Sequence, residues 1–189
     1  FYNIEKTSIV KHCFSTKFGG VSSGVYKSMN LSFREDLKEN VIQNYKIICS
    51  AIGLDYKNTV FSSQTHQDKV YKVTKNDIGK GLLKQSDIYG YDALITNEKD
   101  IVLVTFYADC VSIFIVDPIN KAIGIAHSGW KGTVKQIGAK TIKQMEIEYG
   151  SSPKDLIIGI GPSIEKCCFQ IGKEVVNIFK EEIPFSKSY

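Results

Sequence analysis

The chain has 189 residues, 43% hydrophobic and 23% charged, the composition of one ordinary globular domain long enough to bury a core without staples. Its 24 basic and 20 acidic residues are spread along the whole length with no block of five like charges. The net charge of +4 therefore argues against a nucleic-acid or membrane arm and for a weakly basic solvated surface.

No apolar run approaches the ~18 residues that span a bilayer, and the start FYNIEKTSIVK does not read as a signal peptide. Five cysteines without a Cys-x-x-Cys pair read as reduced thiols, so the expected compartment is cytoplasmic.

Residues 12–30 begin as a short strand candidate and continue as a loop with Gly19, Gly20 and Gly24 among small polar residues. Such a loop either turns the chain or lets backbone approach a ligand. Over residues 37–52 the positions Leu37, Val41, Ile42, Tyr45, Ile48 and Ile52 keep the helical period, with Asp36 and Glu39 placed as N-cap and N3 and Gly53 as the stop. Residues 59–63 and 69–74 are strand candidates flanking a tight connection that carries His66. A lone His there is more often a surface residue than a ligand. Residues 76–89 have no clear period and read as a long loop or lid, and strands resume at 92–96 and 101–107.

Next come two Val- and Ile-rich runs, 111–116 and 122–126, separated by Asp117-Pro118-Ile119-Asn120, which is a hairpin. Pairing Val116 with Lys121 sets Cys110 directly opposite His127, with Cβ atoms about 4.5–5.5 Å apart on one face. Beyond the hairpin a helix is expected over 134–149, with Val134, Ile137, Thr141 and Met145 on one face and Gly150 as the stop. Its N-terminus, with Lys131, offers an anion anchor beside His127; alternatively Thr133 simply caps the helix. A strand at 155–160 and a last helix at 173–180 complete the pattern. Cys13, Cys49, Cys167 and Cys168 read as small buried residues.

On residue type alone Cys110 and His127 admit three readings. With a third ligand they hold an open catalytic zinc; without one, they are a thiolate nucleophile and its base, or a purely structural pair. His66 is the natural third ligand, because the remaining His12 neighbours a scaffold segment. Copper in its electron-transfer form wants an axial Met, and Met29 and Met145 have no evident route to the site, so zinc is favoured and copper is the alternative.

Six blocks, Thr16-Lys17-Phe18-Gly19-Gly20-Val21-Ser22, Gln64-Thr65-His66, Asp92-Ala93-Leu94-Ile95-Thr96, Ala108-Asp109-Cys110, residues 127–132 and residues 160–168, resemble the laccase-domain, multicopper-oxidase-like family of bacterial purine nucleoside phosphorylases. The resemblance implies an α/β (α+β) fold: a single compact domain of mixed, largely antiparallel sheets covered by helices, similar to cysteine-hydrolase folds. It implies one catalytic domain over residues 1–189 that lacks C-terminal strands of the native chain. It also implies zinc on His66, Cys110 and His127, and phosphorolysis of adenosine or inosine with adenosine deamination in the same pocket.

The expected partners are then purine nucleosides and phosphate, with no nucleic acid and no membrane, for a monomer or weak homo-oligomer. Lys17 and Lys131 are assigned to anion binding, and Asn30 and Gln64 to substrate hydrogen bonds. Cys110, Asp92 and Asp109 are the catalytic candidates. The family usually has Arg where this chain has Lys17, which cannot clamp an anion bidentately, and Gly where it has Gln67. A copper-dependent polyphenol oxidase, a metal-free Cys–His hydrolase and a non-enzymatic role with a vestigial pocket are the competing expectations.

Overall fold

The β-branched runs form seven strands among residues 1–34 and 36–183, which the computed structural model describes. They are β1 (Thr59–Phe61), β2 (Val70–Lys72), β3 (Ala93–Thr96), β4 (Val102–Val104), β5 (Val111–Asp117), β6 (Ala122–Ser128) and β7 (Ile157–Ile160). The helices are α1 (Tyr2–Glu5), α2 (Lys38–Ala51), α3 (Trp130–Val134), α4 (Ile137–Tyr149) and α5 (Lys173–Glu182). No helix among the described residues is long and apolar enough to cross a membrane.

A five-stranded sheet has the order β2-β3-β6-β5-β7, and β1 pairs with β4 in a second, parallel sheet. Only the β2–β3 pair of the larger sheet is parallel, so the mixed, largely antiparallel α/β architecture is the one expected. All four residues of β3 are buried, because strands flank it on both sides and both its faces are covered. Leu94 and Ile125 pack with Val60 and Leu103 towards the small sheet. Ile95 and Ile115 pack with Met145 of α4 on the opposite face. Each such side chain taken fully out of water contributes about 2 kcal/mol before its ordering entropy is subtracted.

The hairpin register differs from expectation by two residues: Val116 pairs with Ile123, Asp117 with Ala122, and Ser112, not Cys110, stands opposite His127. The cause lies in the turn. The Asp117 carboxylate accepts the N–H groups of Ile119 and Asn120 at 2.9 and 3.0 Å, while Lys121 takes a left-handed φ of 53° that no ladder position uses. The four-residue loop is therefore 118–121, one step further along. Because side chains alternate with period two, a slip of two keeps Cys110 on the face of His127.

Other expectations are corrected too. The helix foreseen over 134–149 is two: α3 begins at Trp130, and Gln136 with φ 59° separates it from α4. Thr133 does not cap; it lies inside α3, and its hydroxyl donates back to the Gly129 carbonyl at 3.0 Å. Residues 76–89 are no lid, since Leu82 and Ile88 are buried and the chain runs beside β1, where Phe61 N–H donates to Lys80 O. No strand forms near His12. Leu37, not Asp36, is the N-cap of α2, although Asp36 accepts the Leu37 N–H at 2.8 Å. Of the four cysteines read as buried, only Cys49 is; Cys13, Cys167 and Cys168 are exposed.

Candidate metal centre

The site starts from β3. Its register with β6 pairs Ala93 with Ala126, and one step further puts Asp92 beside His127, whose N–H donates to the Asp92 carbonyl at 2.7 Å. Cross-strand neighbours share a face, so carboxylate meets imidazole: Asp92 Oδ1 lies 2.8 Å from His127 Nδ1. A carboxylate only accepts, so Nδ1–H donates in this contact, and Nε2 is the ring nitrogen left to face a ligand.

The same carboxylate builds the second arm. It accepts the backbone N–H groups of Thr65, His66 and Gln67 at 3.1, 3.0 and 2.8 Å. Those bonds hold His66 at φ 60°, a left-handed backbone that costs a non-glycine residue about 1 kcal/mol. Gln67 and Asp68 then tie the loop to residues flanking and within α4: Lys135 Nζ donates to Gln67 Oε1 at 2.9 Å, and Lys140 pairs with Asp68. Asp92 is 0% exposed. Burial alone would push its carboxyl up, but the His127 ring and the three N–H donors together hold it below the usual carboxylate range.

Cys110 supplies the third arm from just before β5. Carrying the β5–β6 register one step past Val111 and Ser128 puts it opposite Gly129. A Cβ at 129 would stand 2.9 Å from His66 Cδ2 and 3.0 Å from Cys110 Sγ, so only glycine lets these two side chains converge. The ligand atoms of His66, Cys110 and His127 lie within 4.8 Å of one another, and the two imidazole rings are nearly perpendicular at 76°.

Two nitrogens and one sulfur around one point, with His127 buried, Cys110 half-buried and His66 exposed, fit a metal with an open side. The thiol by itself is not activated. Burial, with the nearby Asp109 and Asp92 carboxylates, pushes the Cys110 pKa up, whereas a bound cation would hold it as thiolate.

Residues 11–188 match the family described as multi-copper polyphenol oxidoreductase laccase. The chain belongs to this family. Purine nucleoside phosphorylase YlmD of Bacillus subtilis (strain 168) is 40% identical over 166 residues, which cover 87% of this chain and 60% of that protein. Human purine nucleoside phosphorylase LACC1 is 34% identical over 172 residues, 89% of this chain and 38% of its own. The crystal structure of YlmD from Geobacillus stearothermophilus superposes with a TM-score of 0.84 at 31% identity, covering 88% of this chain and 63% of that one. The chain thus spans less than two thirds of each of these laccase-family relatives.

In this member of the laccase family the centre opens onto a cleft of about 1820 Å³, lined among others by Asn30, Gln64, His66, Asp109, Cys110 and His127. That exceeds a closed pocket of about 300–1,000 Å³, so the space is an open trough. Asp92, Lys17 and Lys131 do not line it, and each lysine holds its ammonium near the ring of a sequence neighbour, Phe18 and Trp130 respectively. The Asn30 amide donates to Ser32 O and Asp36. Gln64 exchanges two hydrogen bonds with the Phe106 backbone, at 3.0 and 2.7 Å, which leave its amide one N–H and one lone pair.

Two residues escaped the sequence reading. Asn44, fully buried in α2, accepts the Val21 N–H and donates to Ser22 Oγ and Asn30 O, pinning the glycine-rich loop to the helix. Its signal was a polar residue three positions after Val41, on the buried stripe. Tyr107 packs its ring 5.6 Å from that of His127 and donates its hydroxyl to Ala126 O. Nothing in its spacing set it apart from the other residues of the 101–107 run.

Proposed function

We propose that the chain carries the active site of a zinc-dependent purine nucleoside phosphorylase that also deaminates adenosine. The observation that carries this reading is the convergence of His66, Cys110 and His127 on one point, in a chain whose relatives are named purine nucleoside phosphorylase. A mixed imidazole and thiolate set suits zinc. Bound there, zinc would supply Lewis-acid polarisation and a lowered pKa for water.

The chain's own groups supply the rest. Phosphorolysis joins a phosphate oxygen to the ribose C1′ as the bond from C1′ to the purine breaks; it calls for positioning and charge stabilisation more than for covalent help. Gln64 offers its spare N–H and lone pair to the nucleoside, and Asn30 shapes the wall beside it. Lys17 and Lys131, which do not line the cleft, contribute longer-range positive charge to draw in phosphate. Asp109, exposed at the cleft wall, is the candidate to move a proton to the leaving base. Asp92, shielded from substrate, keeps both histidines aimed. In deamination, water adds at purine C6 and ammonia leaves from the same bound base.

Metal analysis of the purified protein, coupled to product identification with adenosine and phosphate, tests this. The expected result is bound zinc together with adenine, ribose 1-phosphate and inosine; the appearance of none of these products would sink the assignment. Two other readings each have an observation behind them. The family's description points to copper and phenol oxidation, which predicts retained copper and oxygen uptake. The Asp92–His127 bond beside Cys110 is also the layout of a thiol triad. In that case alkylating Cys110 would abolish activity while chelation spared it.

A further inference from the structure

Cys167 and Cys168 take no part in the metal centre. They sit in a turn after β7 in which the N–H groups of Cys168 and Phe169 donate to Glu165 O at 2.9 and 3.0 Å. Both side chains are exposed, and their Sγ atoms are 3.3 Å apart. Cα atoms of adjacent residues are about 3.8 Å apart across a trans peptide, whereas disulfide-linked Cα atoms usually lie about 4.4–6.8 Å apart. A bond between these sulfurs would therefore close a small strained ring. Strained, exposed disulfides are the easily reduced ones, suited to switching and not to stapling.

We propose that Cys167 and Cys168 are a reversible redox modification site, closed to a vicinal disulfide by exchange with a low-molecular-weight disulfide of the glutathione type. One cysteine thiolate attacks a sulfur of the small disulfide, whose S–S bond breaks and releases one small thiol with its proton. The other thiolate attacks the protein-bound sulfur, breaking the mixed disulfide and releasing the second small thiol. Two protein thiols are oxidised, one small disulfide is reduced to two thiols, and two protons pass from protein to products. The turn also reaches the metal centre, because Ile164 N–H donates to Asp109 O at 2.9 Å, one residue from Cys110. Ring closure pulls on backbone attached to a ligand, so the zinc affinity responds. This last link rests on the metal reading; the disulfide does not.

The test equilibrates the whole protein with mixtures of oxidised and reduced glutathione, traps free thiols by alkylation and maps the peptides by mass spectrometry. The peptide holding both cysteines is expected to lose two hydrogens under oxidising mixtures and regain them on reduction. Zinc affinity, read by competition with a chromophoric chelator, should change roughly 3- to 30-fold. Cys168→Ser should stop at a glutathione adduct on Cys167 and keep one zinc affinity throughout. A wild-type protein that also stops at the mixed adduct, or whose two thiols stay alkylatable across the range, overturns the proposal. An internal disulfide that leaves zinc affinity unchanged overturns the link to Cys110.

Discussion

Replacing Asp92 with Asn keeps the side chain's size but turns one acceptor oxygen into a donor that faces N–H groups. Oδ1 serves His66 and His127, and Oδ2 serves Thr65 and Gln67, so neither amide orientation satisfies both sets. Asp92→Asn should cost about 3 kcal/mol of stability by denaturant titration at neutral pH. It should also weaken zinc binding about 10- to 100-fold. Because the folded-state pKa of Asp92 is depressed, its stabilisation is fully present above the unfolded value of about 3.9 and is lost as pH falls through the lower folded value. The gap between the two proteins should therefore close in acid; a gap that stays constant down to denaturation would contradict the assignment. Gly129→Ala separates site from scaffold, since φ −67° suits alanine and only the contacts with His66 and Cys110 forbid it. About 1–3 kcal/mol of stability should go, with at least about a tenfold loss of zinc affinity. Unaltered zinc binding in that variant would mean that the cradle is not used. The convergence of His66, Cys110 and His127 was legible in part, because only three histidines exist and one of them lies on the hairpin strand that returns beside Cys110. The part played by Gly129 was not, because close approach leaves no mark in composition.

At the scale of elements, β-branched runs announced the strands and the helical period announced α2. Two of the failures, the hairpin register and the undivided helix, have one physical source: local conformations that no glycine or proline advertises. Lys121 and Gln136 both adopt left-handed φ, the first moving the hairpin register by two and the second splitting a helix. The apolar period also passed over Asn44, whose side chain replaces a hydrophobic contact with three hydrogen bonds to a neighbouring loop. Asn44→Ala leaves those groups buried without partners. A loss of about 2–4 kcal/mol is expected, with proteolytic cleavage of the glycine-rich loop appearing well before cleavage elsewhere. Cleavage at an unchanged rate would show that the loop is held by something other than this amide.

For the whole molecule, length and composition pointed to one domain and the family resemblance to its mixed α/β fold, whereas the cleft was beyond both, since it depends on how two sheets face each other. The linchpin of the site has a kinetic consequence. Asp92 reaches His66 across 26 residues and His127 across 35, from a strand flanked by β2 on one side and β6 on the other. Three ligands come together only after both neighbours have docked on β3, and such non-local pairings are slow to form. Zinc should then find no competent site in the folding transition state. It is expected to leave the refolding rate unchanged and to slow unfolding, by as much as the native state gains, about 4 kcal/mol when zinc is at roughly a thousand times its Kd. Stopped-flow refolding and unfolding with and without zinc would measure both limbs, and faster refolding with zinc would mean that the ligands meet early. The carboxylate that aims the histidines would thus also time the arrival of the metal, making zinc a latch on the finished sheet and not a nucleus for building it.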